Sequence, residues 1–310
     1  MTQRLLAVHA HPDDESSKGA ATYAHYVNAG TEVLVVSCTG GEHGDIQNPA
    51  LIEKAMAERD MAGLRRIEMD RARAAIGFCH RWLGYQDSGL PENDEPLQAN
   101  CFALIPLEIS AEPLVRIIRD FRPQVMITYD EAGGYPHPDH IRTHELSMYA
   151  MDAAADASRY PDASGRSDGT GGSGSTGNSG STGAWQIQKV YYDRIFNSKR
   201  ANAMYEALKS KEPESPLLEK LDDIRKWMSE RPDLSTSQVE VGAFFEHRDN
   251  ALRAHASQVS PDSSFFFWPN ELQREVWPWE DYQLVSSLVP TELPETDLFA
   301  GISHEQEAVK

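Results

Sequence analysis

A Rossmann-like, doubly wound α/β fold, with a mostly parallel sheet, helices on both faces and a C-terminal extension, is what this 310-residue sequence predicts. Two observations carry that expectation. Short apolar runs alternate with longer stretches of helical periodicity, the pattern of repeated βα units with right-handed crossovers. One run, Glu32 to Thr39 (EVLVVSCT), is β-branched and apolar almost throughout, as suits a strand covered on both faces of a parallel sheet. In chain order, Arg4 to His9 (RLLAVH) predicts a first strand, and Ser17 to Asn28 a helix stopped by Gly30. After the Glu32 to Thr39 strand, a long helix is expected over about Leu51 to Ile76, ended by Gly77, then a strand over Cys79 to Tyr85. Ala111 to Phe121 predicts a helix, Gln124 to Tyr129 (QVMITY) a strand, and His140 to Ala157 a helix. Lys189 to Phe196 predicts another strand, followed by charged helices over about Asn202 to Glu230 and Gly242 to Ala256. From Ser260 onward the chain is aromatic and proline-rich, and Phe265, Phe266, Phe267, Trp268, Trp277 and Trp279 are expected in core or pocket wall.

At 40% hydrophobic and 25% charged the composition is that of a soluble globular protein. Lys+Arg 29 against Asp+Glu 48 leaves a net charge of −19, which repels phosphate backbones and anionic lipid, so neither nucleic acid nor membrane is an expected partner. Met1 to Glu15 hold only a short apolar run, Leu5 to Ala10, and no apolar stretch is long enough to span a bilayer, which points to the cytoplasm. Cys38, Cys79 and Cys101 lack CxxC spacing and are expected as buried thiols.

From Ala163 to Ala184, 17 of 22 residues are Gly, Ser or Thr, which predicts a flexible loop. As a coil its ends could lie on the order of 25 Å apart or come together. The expected division is therefore a metal-binding α/β core over 1–162, the loop over 163–184, and a part over 185–310 that completes the same domain and its pocket.

In open α/β sheets ligands sit beyond the carboxyl ends of strands, where strand order reverses. Two predicted strand ends are crowded with imidazoles and carboxylates: His9 to Glu15 (HAHPDDE) and Asp130 to His140 (DEAGGYPHPDH). Each is a short turn containing proline, a rigid mount for side chains. A catalytic Zn²⁺ takes three imidazole or carboxylate ligands and keeps a position for water. His11, Asp14 and His140 would supply such a set for one ion per chain, and Fe²⁺ accepts the same donors. Such an ion lowers the pKa of water from 15.7 to about 7, within reach of a neighbouring carboxylate. Asp13, beside a ligand but aimed elsewhere by the backbone, is the candidate base. His137, if cationic, could stabilise an oxyanion or protonate a leaving amine, and Tyr135 could donate to the oxyanion. His144, four residues after His140, is a rival ligand. His9, inside the strand, reads as a supporting or core imidazole, while His25, His43, His80 and His304 carry no pattern. Taken singly, each His–Asp pair also reads as a cap or surface ion pair.

At these two turns the sequence resembles the PIG-L/LmbE-like family of zinc-dependent deacetylases. The A-H-P-D-D-E signature stands as Ala10 to Glu15 and H-P-D-H as His137 to His140. The likeness covers most of the chain, and it implies His11, Asp14 and His140 as metal ligands, Asp13 as base, and Tyr135 and His137 as assistants in the transition state. It implies hydrolysis of an amide on the amino group of a glucosamine unit. A closer match within the family is carried by His9 to Ala21 (HAHPDDESSKGAA), Thr39 to Glu42, Asp87 to Leu90, Thr128 to Ile141, Ala251 to Gln258 (ALRAHASQ) and Glu295 to Ile302. It implies cleavage between an S-substituted N-acetylcysteine and glucosaminyl-inositol, a step of thiol-dependent detoxification, with Lys18, Arg65 and Asp87 as substrate contacts. A carboxylate and a guanidinium suit polyols because both make paired, directional hydrogen bonds. Lys18 is expected in the first turn of a helix, where its cation opposes the helix terminus; a solvated lysine is the plainer reading. Arg66 adjoins Arg65 and could take its place. His255 and Gln258 match a family motif at the pocket rim. The rival readings are an N-acetylglucosaminyl-inositol deacetylase and, from another class, a non-catalytic sugar-binding module. A nucleotide-binding Rossmann domain needs G-x-G-x-x-G where this chain has His11 to Ser16.

Overall fold

The computed structural model describes residues 2–91, 95–163, 183–229, 232–266 and 268–303. The elements in the first half are β1 (Arg4–His9), α1 (Asp14–Ser17), α2 (Ala20–Asn28), β2 (Glu32–Thr39), α3 (Lys54–Arg59), α4 (Met61–Ile76), β3 (Cys79–Tyr85), α5 (Leu107–Ser110), α6 (Glu112–Phe121), β4 (Val125–Thr128) and α7 (Pro138–Ala155). They are followed by β5 (Lys189–Asp193), α8 (Ser198–Lys211), α9 (Leu217–Ser229), β6 (Ser237–Glu240), α10 (Phe245–Ala254), α11 (Asn270–Val276) and β7 (Trp279–Ser287).

The strands form one seven-stranded sheet in the order β3-β2-β1-β4-β5-β7-β6. The first five run parallel, with Leu6 opposite both Leu34 of β2 and Met126 of β4; β7 pairs antiparallel with β5, and β6 pairs antiparallel with β7 at the edge. From β1 the chain moves outward through β2 to β3, then returns to β4 on the other flank of β1. Strand order therefore reverses between β1 and β4, and the turns that leave these two strands share one crevice.

Both faces of the central strands are covered, as the unbroken apolar run of β2 requires. Leu5, Ala7, Val33, Val35 and Ile127 pack against Tyr23, Met69 and Phe245 on one face. Leu6, Val8, Leu34, Val36 and Met126 pack against Leu114, Ile118 and Leu146 on the other. Successive strand residues serve opposite faces, and each such side chain contributes roughly 1.5–3 kcal/mol on leaving water. A satellite cluster of Met204, Leu208, Leu221 and Leu272 joins α8, α9 and α11.

Several expected elements differ, each for a local reason. The helix expected from Ser17 is interrupted at Gly19, whose φ of +143° is open to glycine and where a Cβ would meet Tyr23 at 2.5 Å. The long helix expected over Leu51 to Ile76 breaks at Asp60, whose Oδ1 accepts the Gly63 N–H at 2.8 Å and caps α4. The charged helix expected over Asn202 to Glu230 divides into α8 and α9 around Pro213 and Pro216, which cannot donate inside a helix. Strands β6 and β7 were not expected; their charges, Glu240, Glu280 and Asp281, break the apolar pattern by which strands are recognised. Cys38 and Cys101 are buried, but Cys79 is exposed, against the expectation of three buried thiols. The Gly/Ser/Thr-rich stretch (164–182), Phe267 and His304 lie outside the described residues.

His80 on β3 meets Ser37 Oγ of β2 through Nε2 at 3.0 Å, and burial lowers its pKa from 6.5 to about 4. Between those values the unfolded chain binds the extra proton, so stability falls as pH drops through that window. His80→Gln keeps a hydrogen-bonding group without a titration. The urea midpoint of this variant is expected to decline less than the wild-type midpoint between pH 6.5 and 4; parallel declines would mean that His80 is not responsible.

Candidate metal centre

The β1 turn is over-determined by contacts. Asp13 adopts φ +113°, a region that non-glycine residues occupy at a cost, immediately before α1. Its N–H donates to Glu15 Oε2 at 2.9 Å, and its carbonyl accepts from Ser16 and Ser17 at 3.0 and 3.1 Å. Glu15 is fully buried and is held by His255 Nε2 at 2.7 Å, from the end of α10. Burial opposes the charge on Glu15, yet His255 outweighs it and brings the carboxyl down to about 2. Arg65 of α4 is also buried and donates through Nη2 to Asp13 Oδ2 at 2.9 Å and to the Pro12 carbonyl, and through Nη1 to Gly41 O at 2.7 Å.

The β4 turn is shaped by glycine. Asp130 accepts the N–H groups of Ala132 and Gly134 through Oδ1 at 3.1 and 2.9 Å and pairs with Arg194 through Oδ2. Gly133 has φ +69°, and a Cβ there would meet His140 Cβ at 2.6 Å. His140 Nδ1 donates to Gly133 O at 3.0 Å. His137 caps α7, its Nδ1 accepting the Asp139 N–H at 3.1 Å.

In the crevice the turns meet. Asp14 Oδ2 lies 3.6 Å from His11 Nδ1 and 3.3 Å from His140 Nε2. His11 donates its other nitrogen, Nε2, to Asp139 Oδ2 at 3.2 Å, and Asp139 is itself held by Ser88 N at 2.9 Å and by Ser88 Oγ. Each imidazole thus has one nitrogen anchored and turns the other toward one carboxylate oxygen, the carboxylate–histidine arrangement found around metal ions, and Asp139, Asp14 and Asp87 outweigh burial to raise the His11 pKa well above its ordinary value. His140 Nε2 is buried and has no hydrogen-bond partner. Acceptors facing one another at this distance call for a shared cation, so this donor set fits a divalent ion. A second grouping, His11, His137 and Asp139, also lies within metal reach. It fits less well, because His11 Nε2 already donates to Asp139 Oδ2, so a proton stands where an ion would bridge that pair.

Charge follows geometry. Although burial resists it, His140, Lys18 and His11 hold Asp14 well below the usual carboxylate range. Burial raises Asp13, against the pull of Arg65. Burial, then His11 and His140, lower His137 to about 3, so it is neutral, not cationic, and carries its proton on Nε2. Tyr135 lies with its ring 4.5 Å from His140 and 5.9 Å from His137, and Tyr129 stacks on His140 at 4.5 Å.

The remaining expected residues are placed as follows. Lys18 does not open α2; it closes α1, where a cation is favoured, and its Nζ pairs with Asp14 Oδ1. Asp87, buried, accepts from His43 N at 3.2 Å and Gly89 N at 2.8 Å, and lies 3.6 Å from His11 Nε2. His144 bonds the Tyr129 carbonyl at 3.1 Å and belongs to neither metal grouping. His9 is core, held between Tyr23 and Tyr129 at 2.8 and 3.2 Å. Gln258 Nε2 donates to Asp45 O at 3.1 Å. The Glu15–His255 pair had no role in the sequence reading. Both residues lie in recognised motifs, but nothing in a separation of 240 residues announces that they touch.

Residues 6–151 match the GlcNAc-PI de-N-acetylase (PIG-L) family, and the chain belongs to it. Membership places it among metal-dependent amide hydrolases, in agreement with the donor set in the crevice. The chain is 51% identical over 303 residues to mycothiol S-conjugate amidase of Streptomyces coelicolor, covering 96% of this chain and 97% of that one. It is 39% identical over 312 residues to 1D-myo-inositol 2-acetamido-2-deoxy-alpha-D-glucopyranoside deacetylase of Geodermatophilus obscurus, covering 97% and 98%. Among solved structures, the fold is shared with N,N'-diacetylchitobiose deacetylase from Pyrococcus horikoshii, at TM-score 0.59 and 17% identity over 92% of this chain and 84% of that one. It is also shared with the zinc-inhibited form of the teicoplanin deacetylase Orf2, at TM-score 0.51 and 17% identity over 92% and 99%.

Gly133→Ala is expected to push His140 out of place and to weaken metal binding at least tenfold, read by titration of metal-free protein, while far-UV circular dichroism stays unchanged. Unaltered metal affinity would show that the β4 turn tolerates the methyl group.

Proposed function

We propose that this chain is a metal-dependent amidase that cleaves the amide joining an S-substituted N-acetylcysteine to glucosaminyl-inositol, as the name of its 51% identical relative suggests. The products are a mercapturic acid and the free amino sugar. The observation that carries the reading is the meeting of His11 Nδ1, Asp14 Oδ2 and His140 Nε2, with Asp13 beside them but outside the set. These three residues would hold one Zn²⁺, with Fe²⁺ as the other candidate, and the bound ion supplies Lewis acidity for the carbonyl and an acidified water.

Asp13 accepts the proton of the attacking water. Arg65 fixes its Oδ2 at 2.9 Å and leaves Oδ1 free for this task. As the water oxygen adds to the carbonyl carbon, Tyr135 donates its O–H to the developing oxyanion. Asp13, holding the proton taken from water, delivers it to the departing nitrogen as the C–N bond breaks, while His137, neutral and protonated on Nε2, donates a hydrogen bond beside Tyr135 to the oxyanion. Asp87 retains acceptor lone pairs for sugar hydroxyls. Arg65 directs Nη1 and Nη2 to the chain and Lys18 pairs with Asp14, so they act by positioning Asp13 and Asp14. The substrate is a small molecule, and the cytoplasm is the proposed compartment; among the described residues no helix is long and apolar enough to cross a membrane.

A second reading, hydrolysis of the acetyl group from N-acetylglucosaminyl-inositol, is favoured by 39% identity to the Geodermatophilus deacetylase. A comparison of kcat/KM for a thiol conjugate and for that N-acetyl sugar on metal-loaded protein decides between them: the conjugate is expected to be the better substrate, and a reversed order would establish the deacetylase.

Asn tolerates positive φ, so Asp13→Asn is expected to keep the turn and the metal content while kcat drops by roughly 10²–10⁴. Near-wild-type turnover in that variant would assign the base elsewhere. Removing the metal with a chelator should abolish hydrolysis, and adding back Zn²⁺ or Fe²⁺ should restore it; a pure binding module would show no hydrolysis at any stage.

A further inference from the structure

A cavity of about 690 Å³ opens beside the metal centre, between the β1 and β4 turns and the layer formed by α8, α9 and α10. Lys18 and Tyr135 stand at its inner edge, which makes it continuous with the crevice. Its further wall is apolar and aromatic, with Phe196, Met204, Ile224, Trp227, Phe265 and Trp268. The cations in that wall face groups of the chain. Arg194 pairs with Asp130, Arg248 with Asp249 at 2.8 Å and Lys18 with Asp14, while Arg200 donates to the Ile195 carbonyl at 3.0 Å. Of the acids in the wall, Asp130 pairs with Arg194 and Glu280 accepts the Thr22 N–H, which leaves the half-buried Asp193 carboxyl, raised by burial to about 7, beside a surface that is mainly carbon. Asp13, Arg65 and Asp87 do not line the cavity; they cluster with Gly41 and His43 on the other flank of the β1 turn. An amide held at the centre would thus have a polar flank for its sugar and an apolar chamber for its acyl side.

We infer that this cavity receives the group carried on the sulfur of the thiol conjugate and selects bulky, neutral, apolar substituents, aromatic ones above all. The assignment rests on the amidase reading. The volume lies within the range of small-molecule pockets and exceeds what an acetyl group needs. Each added methylene that such a pocket covers raises discrimination by roughly 10–200-fold, so the size of the substituent should register strongly. A charged substituent would leave water for a wall with few free polar partners, which disfavours it.

The test is a kcat/KM series on metal-loaded wild-type protein with S-methyl, S-benzyl, S-naphthylmethyl and S-carboxymethyl conjugates. The benzyl conjugate is expected to exceed the methyl one by at least tenfold, about 1.4 kcal/mol, with the naphthylmethyl conjugate at least as good and the carboxymethyl conjugate poorest. Ile224→Trp, which fills the chamber, and Phe265→Ala, which strips its wall, should each lower the benzyl-to-methyl ratio at least tenfold in protein whose circular dichroism is native. Should one variant not fold, the other and the wild-type series still decide. Equal kcat/KM across the series, or an unchanged ratio in the folded variants, would overturn the assignment while leaving the amidase reading intact. Hydrolysis of N-acetylglucosaminyl-inositol without hydrolysis of any conjugate would instead overturn the amidase reading, and the assignment with it.

Discussion

One carboxylate organises the crevice. Asp14 Oδ1 is held by Lys18, and Oδ2 faces an imidazole nitrogen from each of the two turns. Every other group at the centre is arranged with respect to this pair of oxygens. Asp139 anchors the far nitrogen of His11, and the Gly133 carbonyl anchors that of His140. Two imidazole nitrogens directed at one carboxylate inside a buried space call for positive charge between them, which a proton on His11 or a metal cation can supply, and this is the physical reason the site suits a cation. The acidity of the whole chain, a net charge of −19, acts in the same direction by attracting cations at long range.

The turn that delivers Asp14 is a strained one, and its strain is met by contacts from distant parts of the chain. Asp13 at φ +113° is fixed by the Glu15 carboxylate below it and by the Arg65 guanidinium beside it. Glu15 is fixed in turn by His255. Reactive groups are commonly held this way, in backbone conformations that the surroundings over-determine. The same logic separates the two adjacent aspartates. One peptide unit in a left-handed conformation turns Asp14 into the crevice and leaves Asp13 facing its open side.

How much of this is legible in the sequence follows from the range of each interaction. The strands β1, β2 and β4 announce themselves because burial on both faces demands continuous apolar residues, and their order follows from the regularity of βα crossovers. The candidate ligand set is legible because imidazoles and carboxylates crowd two proline-containing turns at strand ends, and the structure brings these residues together. Lys18 was misplaced by a few residues because Gly19, which divides two helices, reads locally as a tolerable interruption. Arg65 stood out as a substrate contact, yet its clamp on Asp13 is a tertiary fact with no local trace. Strand β7 carries the buried acids Glu280 and Asp281, whose partners, the Thr22 N–H at 2.8 Å and the Trp277 indole at 2.8 Å, lie outside the strand, and β6 ends on the exposed Glu240. The aromatic cavity likewise draws single residues from several helices, so that no one segment reveals it.

His255 reaches the first turn from near the end of the chain. During synthesis the chain emerges from the ribosome N-terminus first, so the A-H-P-D-D-E turn is exposed long before its clamp exists. Until α10 has been made and docked, Glu15 lacks its counter-charge, and Asp13 has only the Arg65 side of its clamp. The full set of contacts around the A-H-P-D-D-E turn is therefore completed only once α10 has left the ribosome.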